Sequence, residues 1–264
     1  MKELLRRSYH FLKSQLRIFR FIYSGLVNIG YKLNLLSIHD VPVVINNFNR
    51  ITHLLHLIEF LEGCGFTNII ILDNNSTYPP LLDFYKDTKY KVIRGKHNYG
   101  HLAFWKSGLY NRYKWNFFIY TDSDVVPVQE CPKDFIKWFK SILDTNYNLD
   151  KVGFGIKIDD LPDTFALKQK VIEYEKKYWK TKVGSNTYKA PIDTTFALYK
   201  PFSNLKMDQI YTLSAYRTGF PYLIRHLPWY VDSEHLSKED LYFIETCSSS
   251  SSIGQHQKGE GQVY

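Results

Sequence analysis

From residue 41 onward the chain alternates short apolar runs with stretches of helical period. VPVVINNF (41–48) is an unbroken apolar run that ends in asparagines and predicts a strand. RITHLLHLIEFLEGCG (50–65) spaces its apolar residues three and four apart, closes on glycine and predicts a helix; NIIILDNN (68–75) predicts a second strand. Together they make a βαβ unit. STYPPLLDFYKD then reads as a turn and a helix, YKVIRG (90–95) as a third strand, HLAFWKSGLYNRY as a helix and WNFFIYTDSD as a fourth strand. Because these strands are continuously apolar and do not alternate, helices should cover both faces, which predicts an α/β domain on a mostly parallel central sheet. The strands run into polar residues: Asn46 and Asn47; Asp73, Asn74 and Asn75; Asn98 and Gly100; Asp122 and Asp124. In a parallel sheet all four clusters gather at the carboxyl edge, where open α/β sheets bind ligands.

The pattern ahead of residue 38 is different. Leu5, Tyr9, Leu12, Leu16, Phe19, Tyr23 and Leu26 recur at alternating spacings of four and three, the mark of one helical face. The same segment holds Lys2, Arg6, Arg7, Lys13, Arg17, Arg20 and Lys32 against Glu3 alone, so it carries +6 of the chain's net +8. The positive excess is therefore local, which argues against a nucleic-acid partner. Two readings stand for this amphipathic helix: packing on the domain with a solvated basic face, or adsorption to an anionic membrane surface. It is not expected to span a bilayer, since its longest uncharged run, 21–31, falls well short of the ~20 residues needed.

Composition adds bounds. A length of 264 residues at 44% hydrophobic content suits one large domain. Cys64, Cys131 and Cys247 form no metal-binding spacing and fit free thiols in a reducing compartment. With basic residues interrupting the early apolar stretches, no cleavable leader is expected, and the expected location is cytoplasmic, peripheral at the inner membrane face if the helix adsorbs. The expected division is a helical segment (1–37), one domain (38–246, with a nucleotide-binding half 38–130 and an acceptor half 131–246), and a Ser-, Gly- and Gln-rich flexible tail (247–264).

The chemistry concentrates in FIYTDSDVVP. Side chains alternate along an extended chain, so Asp122 and Asp124 face one side while Ser123 points away. Two carboxylates so close raise each other's proton affinity unless a cation lies between them, and a divalent ion resolves the conflict. Sixteen aspartates make one Asp-x-Asp pair expected roughly once by chance. What singles this pair out is its place at the end of an apolar strand.

The runs VPVVINNFNR, IIILDNNST, HNYGHLAFWKSGL and FFIYTDSDVVP, in this order, resemble the nucleotide-binding half of a GT-A-fold glycosyltransferase, most similar to family 2. The resemblance covers residues 39–130 well and the rest loosely. It departs at the first strand, which ends Asn46-Asn47-Phe48-Asn49 in place of Pro-Thr-Tyr-Asn, and at the second, where Asp73-Asn74-Asn75-Ser76 replaces Asp-Asp-Gly-Ser. It implies a Rossmann-like GT-A domain and a hexosyltransferase-like enzyme that moves a single sugar from a nucleotide-sugar donor, a UDP-sugar favoured, to a glycan or lipid-linked acceptor in surface polysaccharide or glycoconjugate synthesis. Asn46, Arg50 and Asp73 would then meet the base and ribose, Asn98 and Gly100 would lie beneath the nucleotide, and Asp122 and Ser123 would touch the nucleotide-sugar. Asp122, Asp124 and the late His226 would hold Mn2+ or Mg2+. Asp193, at the start of a later β-rich run, would serve as the base of an inverting transfer; Asp208, Asp232 and Glu234 are the other candidates. The polymer-synthase signature Gln-x-x-Arg-Trp is absent, which favours single-sugar transfer.

Two rival readings remain. A nucleotidyltransferase acting on sugar phosphates would show a Gly-rich basic loop after the first strand, where NNFNRITH has no glycine. A non-catalytic sugar-binding or membrane-associated module would need neither Asp124 nor a base.

Overall fold

The computed structural model describes residues 2–203 and 213–247. The side chains of Leu5, Tyr9, Leu12 and Leu16, Asp208, and the expected tail from residue 248 on lie outside the described residues. The fold is of the expected α/β class: a ten-stranded central sheet flanked by helices, preceded by a helix α1 (Lys2–Lys32).

Four strands, β1 (Val43–Asn47), β2 (Ile69–Asp73), β3 (Lys91–Arg94) and β4 (Phe118–Asp122), pair in parallel in the order β3-β2-β1-β4. Both faces of β1, β2 and β4 are buried, as unbroken apolar runs require, while β3 at the edge stays partly exposed. Val43, Ile45 and Ile71 pack toward Leu54, Leu57 and Leu61 of α2 (Thr52–Gly63) and Phe135 and Phe139 of α6 (Phe135–Thr145). Val44, Ile70 and Leu72 pack on the other face with Phe104, Trp105 and Tyr120. The pairing register sets Asn46 level with Asp122 and Asn47 level with Asp73, so the polar strand ends are drawn into one row.

Beyond β4 the sheet becomes mixed. β9 (Ala197–Tyr199) runs antiparallel between β4 and β6 (Lys151–Ile156), and β10 (Ala215–His226) returns parallel to β6. Two short strands, β7 (Lys182–Gly184) and β8 (Thr187–Lys189), form the far edge, while β5 (Val125–Pro127) turns back from β4 to pair antiparallel with the end of β10. Since β6 and β10 run the same way as β4, the end of β10 reaches the same carboxyl edge as Asp122.

Two local expectations are corrected. HLAFWKSGLYNRY is two four-residue helices, α4 (Ala103–Lys106) and α5 (Tyr110–Tyr113), because Gly108 between them takes φ +79, a left-handed turn that breaks the helix. The charged helix α7 (Lys168–Lys176) buries Glu175 against Arg217. The seam of α1 is also rotated from the expected face: Tyr23, Val27 and Tyr31 pack on the domain, while Leu26 is 62% exposed. Arg20 pairing with Asp150 and the Tyr31 hydroxyl donating to Asn116 turn the helix this way.

Candidate active site

The row of strand ends builds one polar cluster. Asn46 donates through Nδ2 to Asp122 Oδ1 at 3.2 Å and to the Gly100 carbonyl at 3.4 Å. Thr194 Oγ1 donates to Asp122 Oδ2 at 2.6 Å. Asn74 Nδ2 donates to Asn98 Oδ1 and to the same Gly100 carbonyl, and Asn98 Oδ1 also accepts from Gly100 N–H, which folds the 98–100 loop over the ends of β1 and β2. Gly100 takes φ +62, the left-handed conformation that glycine adopts without strain. Burial and then the neighbouring Asp124 carboxylate push Asp122 well above the usual carboxylate range, a conflict that a cation between the two would relieve.

The turn after β4 places Asp124 one residue before β5. Pairing of β5 with β10 sets His226 opposite Val125, and Leu227 N–H donates to the Asp124 carbonyl at 2.8 Å. His226 Nε2 thereby comes to 3.6 Å from Asp124 Oδ2, with its ring against Trp229. Asp124 Oδ1 and His226 Nδ1 are buried with no hydrogen-bond partner among the described residues. Oxygen and imidazole donors left over in this way suit a divalent cation. Among the described residues no group of three or more His, Cys, Asp or Glu is arranged to hold a metal.

Asp193 lies one residue before Thr194, in the loop that leads into β9. Burial alone would raise its carboxyl, but the Arg217 guanidinium and the Thr195 N–H, which donates to Oδ1 at 2.9 Å, prevail and hold it below the usual range. Two buried cations fasten this loop. Lys151 Nζ donates to the carbonyls of Ile192 at 2.5 Å and Asp193 at 3.1 Å, and Arg217 Nε donates to the Pro191 carbonyl at 2.8 Å while Nη1 meets Glu175 at 2.7 Å. Desolvation pushes Lys151 down to about 7.

Other expected site residues are engaged elsewhere. Asp73 is fully buried, accepting from Tyr85 on one oxygen and from Ser76 N–H and Arg94 Nε on the other. Arg50 is turned from the strand ends into an ion pair with Asp240 and stacks on Phe243, 4.2 Å from the ring centre. Asn49 caps the 77–78 turn through Oδ1, and Ser123 is buried with its N–H donating to the Asn46 carbonyl. Asp232 faces His235, and Glu234 is exposed.

Sequence reasoning passed over three features. Thr194, which anchors Asp122, was visible only as a neighbour of Asp193. His53, in the first turn of α2, faces Asp124, Asp240, His226 and Arg50; burial first and then Arg50 push it down to about 4, leaving a neutral imidazole beside the site. Its signal was its spacing from Arg50. The adjacent acids Glu239 and Asp240 open α8 (Lys238–Thr246) with a capping box on Ser237 and then reach across to the start of α2, Asp240 pairing with Arg50 and Glu239 accepting from Ile51 N–H, Thr52 N–H and Thr52 Oγ1.

No family model and no curated protein matches the chain. Among solved structures it is similar to residues 1–349 of TarS from S. aureus (TM-score 0.43, 12% identity, 70% of this chain and 60% of that one). It is also similar to GalNAc-T7, solved with UDP, GalNAc and Mn2+ (TM-score 0.45, 13% identity, 71% and 43%), and to a second TarS structure (TM-score 0.42, 14% identity, 79% and 40%). The chain thus spans 60%, 43% and 40% of the lengths of those three.

Proposed function

We propose that this chain is a GT-A-type glycosyltransferase that transfers one sugar from a nucleotide-sugar donor, a UDP-sugar favoured, to a glycan or lipid-linked acceptor. The observation that carries the reading is the convergence of Asp122, Asp124 and His226, from two strands about 100 residues apart in sequence, on one edge with Asp124 Oδ1 and His226 Nδ1 unpartnered among the described residues. A simple strand-end turn would leave such acids solvated.

Asp124 and His226 would hold a divalent cation, with Asp122 beside them, fixed by Asn46 and Thr194. When bound, that Mn2+ or Mg2+ would offset the negative charge that develops on a departing nucleoside diphosphate. The 98–100 loop, with Gly100 free of a side chain, allows a nucleotide close approach. Asp193 stays ionised at neutral pH and would accept the acceptor hydroxyl's proton in an inverting transfer. Its low basicity makes positioning by Lys151 and Arg217 the larger part of its contribution.

Thermal unfolding with a panel of UDP-, GDP- and dTDP-sugars, each with and without Mn2+, tests the reading. A ligand that binds the folded state raises the melting point by linkage, so one nucleotide class should stabilise the wild type only with Mn2+, and Asp124→Ala should abolish the effect. No stabilisation by any donor, or stabilisation equal in Asp124→Ala, would overturn it.

A further inference from the structure

Helix α1 carries an apolar stripe that no described residue covers. Ile18, Ile22, Leu26 and Ile29, spaced four, four and three apart, lie along one face and are each between 51% and 62% exposed, and Leu33, just past the helix end, is 63% exposed. Leu35 and Leu36 continue it past the helix end, also exposed. The opposite face is the one that packs on the domain, through Arg20, Tyr23, Val27 and Tyr31. A soluble helix normally turns one apolar stripe inward and a polar face outward; here apolar residues occupy both.

The place of α1 in the fold fixes where this stripe points. Its partners are Asn116 and Trp115 just ahead of β4, Tyr147 and Asp150 just ahead of β6, and Phe202 just past the antiparallel β9. All belong to the amino edge of the sheet, opposite the edge that carries Asp122, Asp124 and His226. Trp115 and Tyr147 flank the helix there, exposed, and rings of this kind settle at the boundary between lipid and water.

We infer that the outer face of α1 is a docking surface for an anionic lipid bilayer, on which the helix lies in the plane of the headgroups. Charge selects this occupant over a second copy of the chain. Residues 1–37 carry +6, which anionic headgroups attract, whereas two copies joined along the stripe would bring two such segments together. No helix among the described residues is long and apolar enough to cross a membrane, consistent with lying on it. Docked this way, the carboxyl edge faces away from the lipid, displaced by the length of a five-residue strand, about 17 Å, plus the helix itself. Joined to the proposed function, this orientation favours an acceptor whose growing end stands off the surface.

The test is co-sedimentation of the full chain with vesicles of phosphatidylglycerol and phosphatidylcholine, with phosphatidylcholine vesicles alone, and in high salt. The variant is Ile22→Gln, Leu26→Gln and Ile29→Gln combined, which leaves charge unchanged; Leu241→Gln, at an exposed position of α8, is the control. The wild type should pellet with anionic vesicles, less in salt and less on neutral vesicles. The triple variant should lose roughly a hundredfold or more in partitioning, as expected for three apolar side chains no longer buried in lipid. Three results would overturn the inference. They are equal partitioning of variant and wild type, a wild type that stays in the supernatant, and a triple variant that turns a dimer into a monomer without changing vesicle binding. A triple variant with a lowered urea midpoint would place the stripe against protein and overturn it as well. None of these outcomes depends on nucleotide-sugar binding.

Discussion

Arg217→Met is the perturbation whose consequences the structure specifies most fully. Its guanidinium and the Glu175 carboxylate are each 4% exposed and meet at 2.7 Å; the same group supports the Pro191 carbonyl and faces Asp193. Removing one member of a buried pair leaves the other charge desolvated, which costs about 3–5 kcal/mol, and orphaning the carbonyl adds about 1 kcal/mol. With a urea m-value of about 3 kcal/mol/M, the midpoint should fall by about 1–2 M. Adding Glu175→Gln removes the stranded charge, so the double variant should return to within about 1–2 kcal/mol of the wild type. Burial already raises Glu175 above its ordinary 4.5, and without Arg217 it rises further. The folded state then holds a proton that the unfolded chain has released, so stability present at low pH is lost as pH climbs through the raised value. The single variant's deficit should therefore be smaller near about pH 5 than near about pH 8. Urea unfolding followed by tryptophan fluorescence at both pH values reads all of this. A deficit that ignores pH, or a double variant as unstable as the single, would refute the reasoning.

Lys151, held near 7 against an ordinary 10.5, gives the opposite sign: the unfolded chain binds the extra proton, so wild-type stability should rise by about 2 kcal/mol between about pH 6.5 and 8.5. Lys151→Met should flatten that rise, measured by urea unfolding at the two pH values. Glu239→Ala strips the N-terminus of α2 of its carboxylate acceptor and should cost about 2 kcal/mol in the same assay. Asp124→Ala should leave stability in that assay within about 0.5 kcal/mol of the wild type, since Oδ1 has no hydrogen-bond partner among the described residues and Oδ2 only approaches His226 at 3.6 Å, while removing Mn2+-dependent nucleotide stabilisation in thermal unfolding.

The parallel half was legible because its code is local. Each of β1, β2 and β4 is an apolar run ending in polar residues, and α2 shows its inner face as Leu54, Leu57, Ile58 and Leu61. The acceptor half was not. β7, β8 and β9 are three residues each, too short for a period, and β10 shifts register between Thr218 and Leu223. The approach of His226 to Asp124 depends on the β5–β10 pairing, which no local pattern encodes. Residue type suggested candidates at Asp73 and Arg50, but whether a polar group faces a cleft or a neighbour depends on its partners, Tyr85 and Arg94 in one case and Asp240 in the other. Glu175 shows the same limit, since its partner Arg217 lies 42 residues away.

Diffraction at the manganese edge from a crystal soaked with UDP and Mn2+ tests the central claim most directly. The account predicts one anomalous peak bonded to Asp124 Oδ1 and to the His226 ring, with the diphosphate on its open side and Asp122 still held by Asn46 and Thr194. Nucleotide density with no manganese at Asp124, or a peak elsewhere with Asp124 and His226 unmoved, would contradict it.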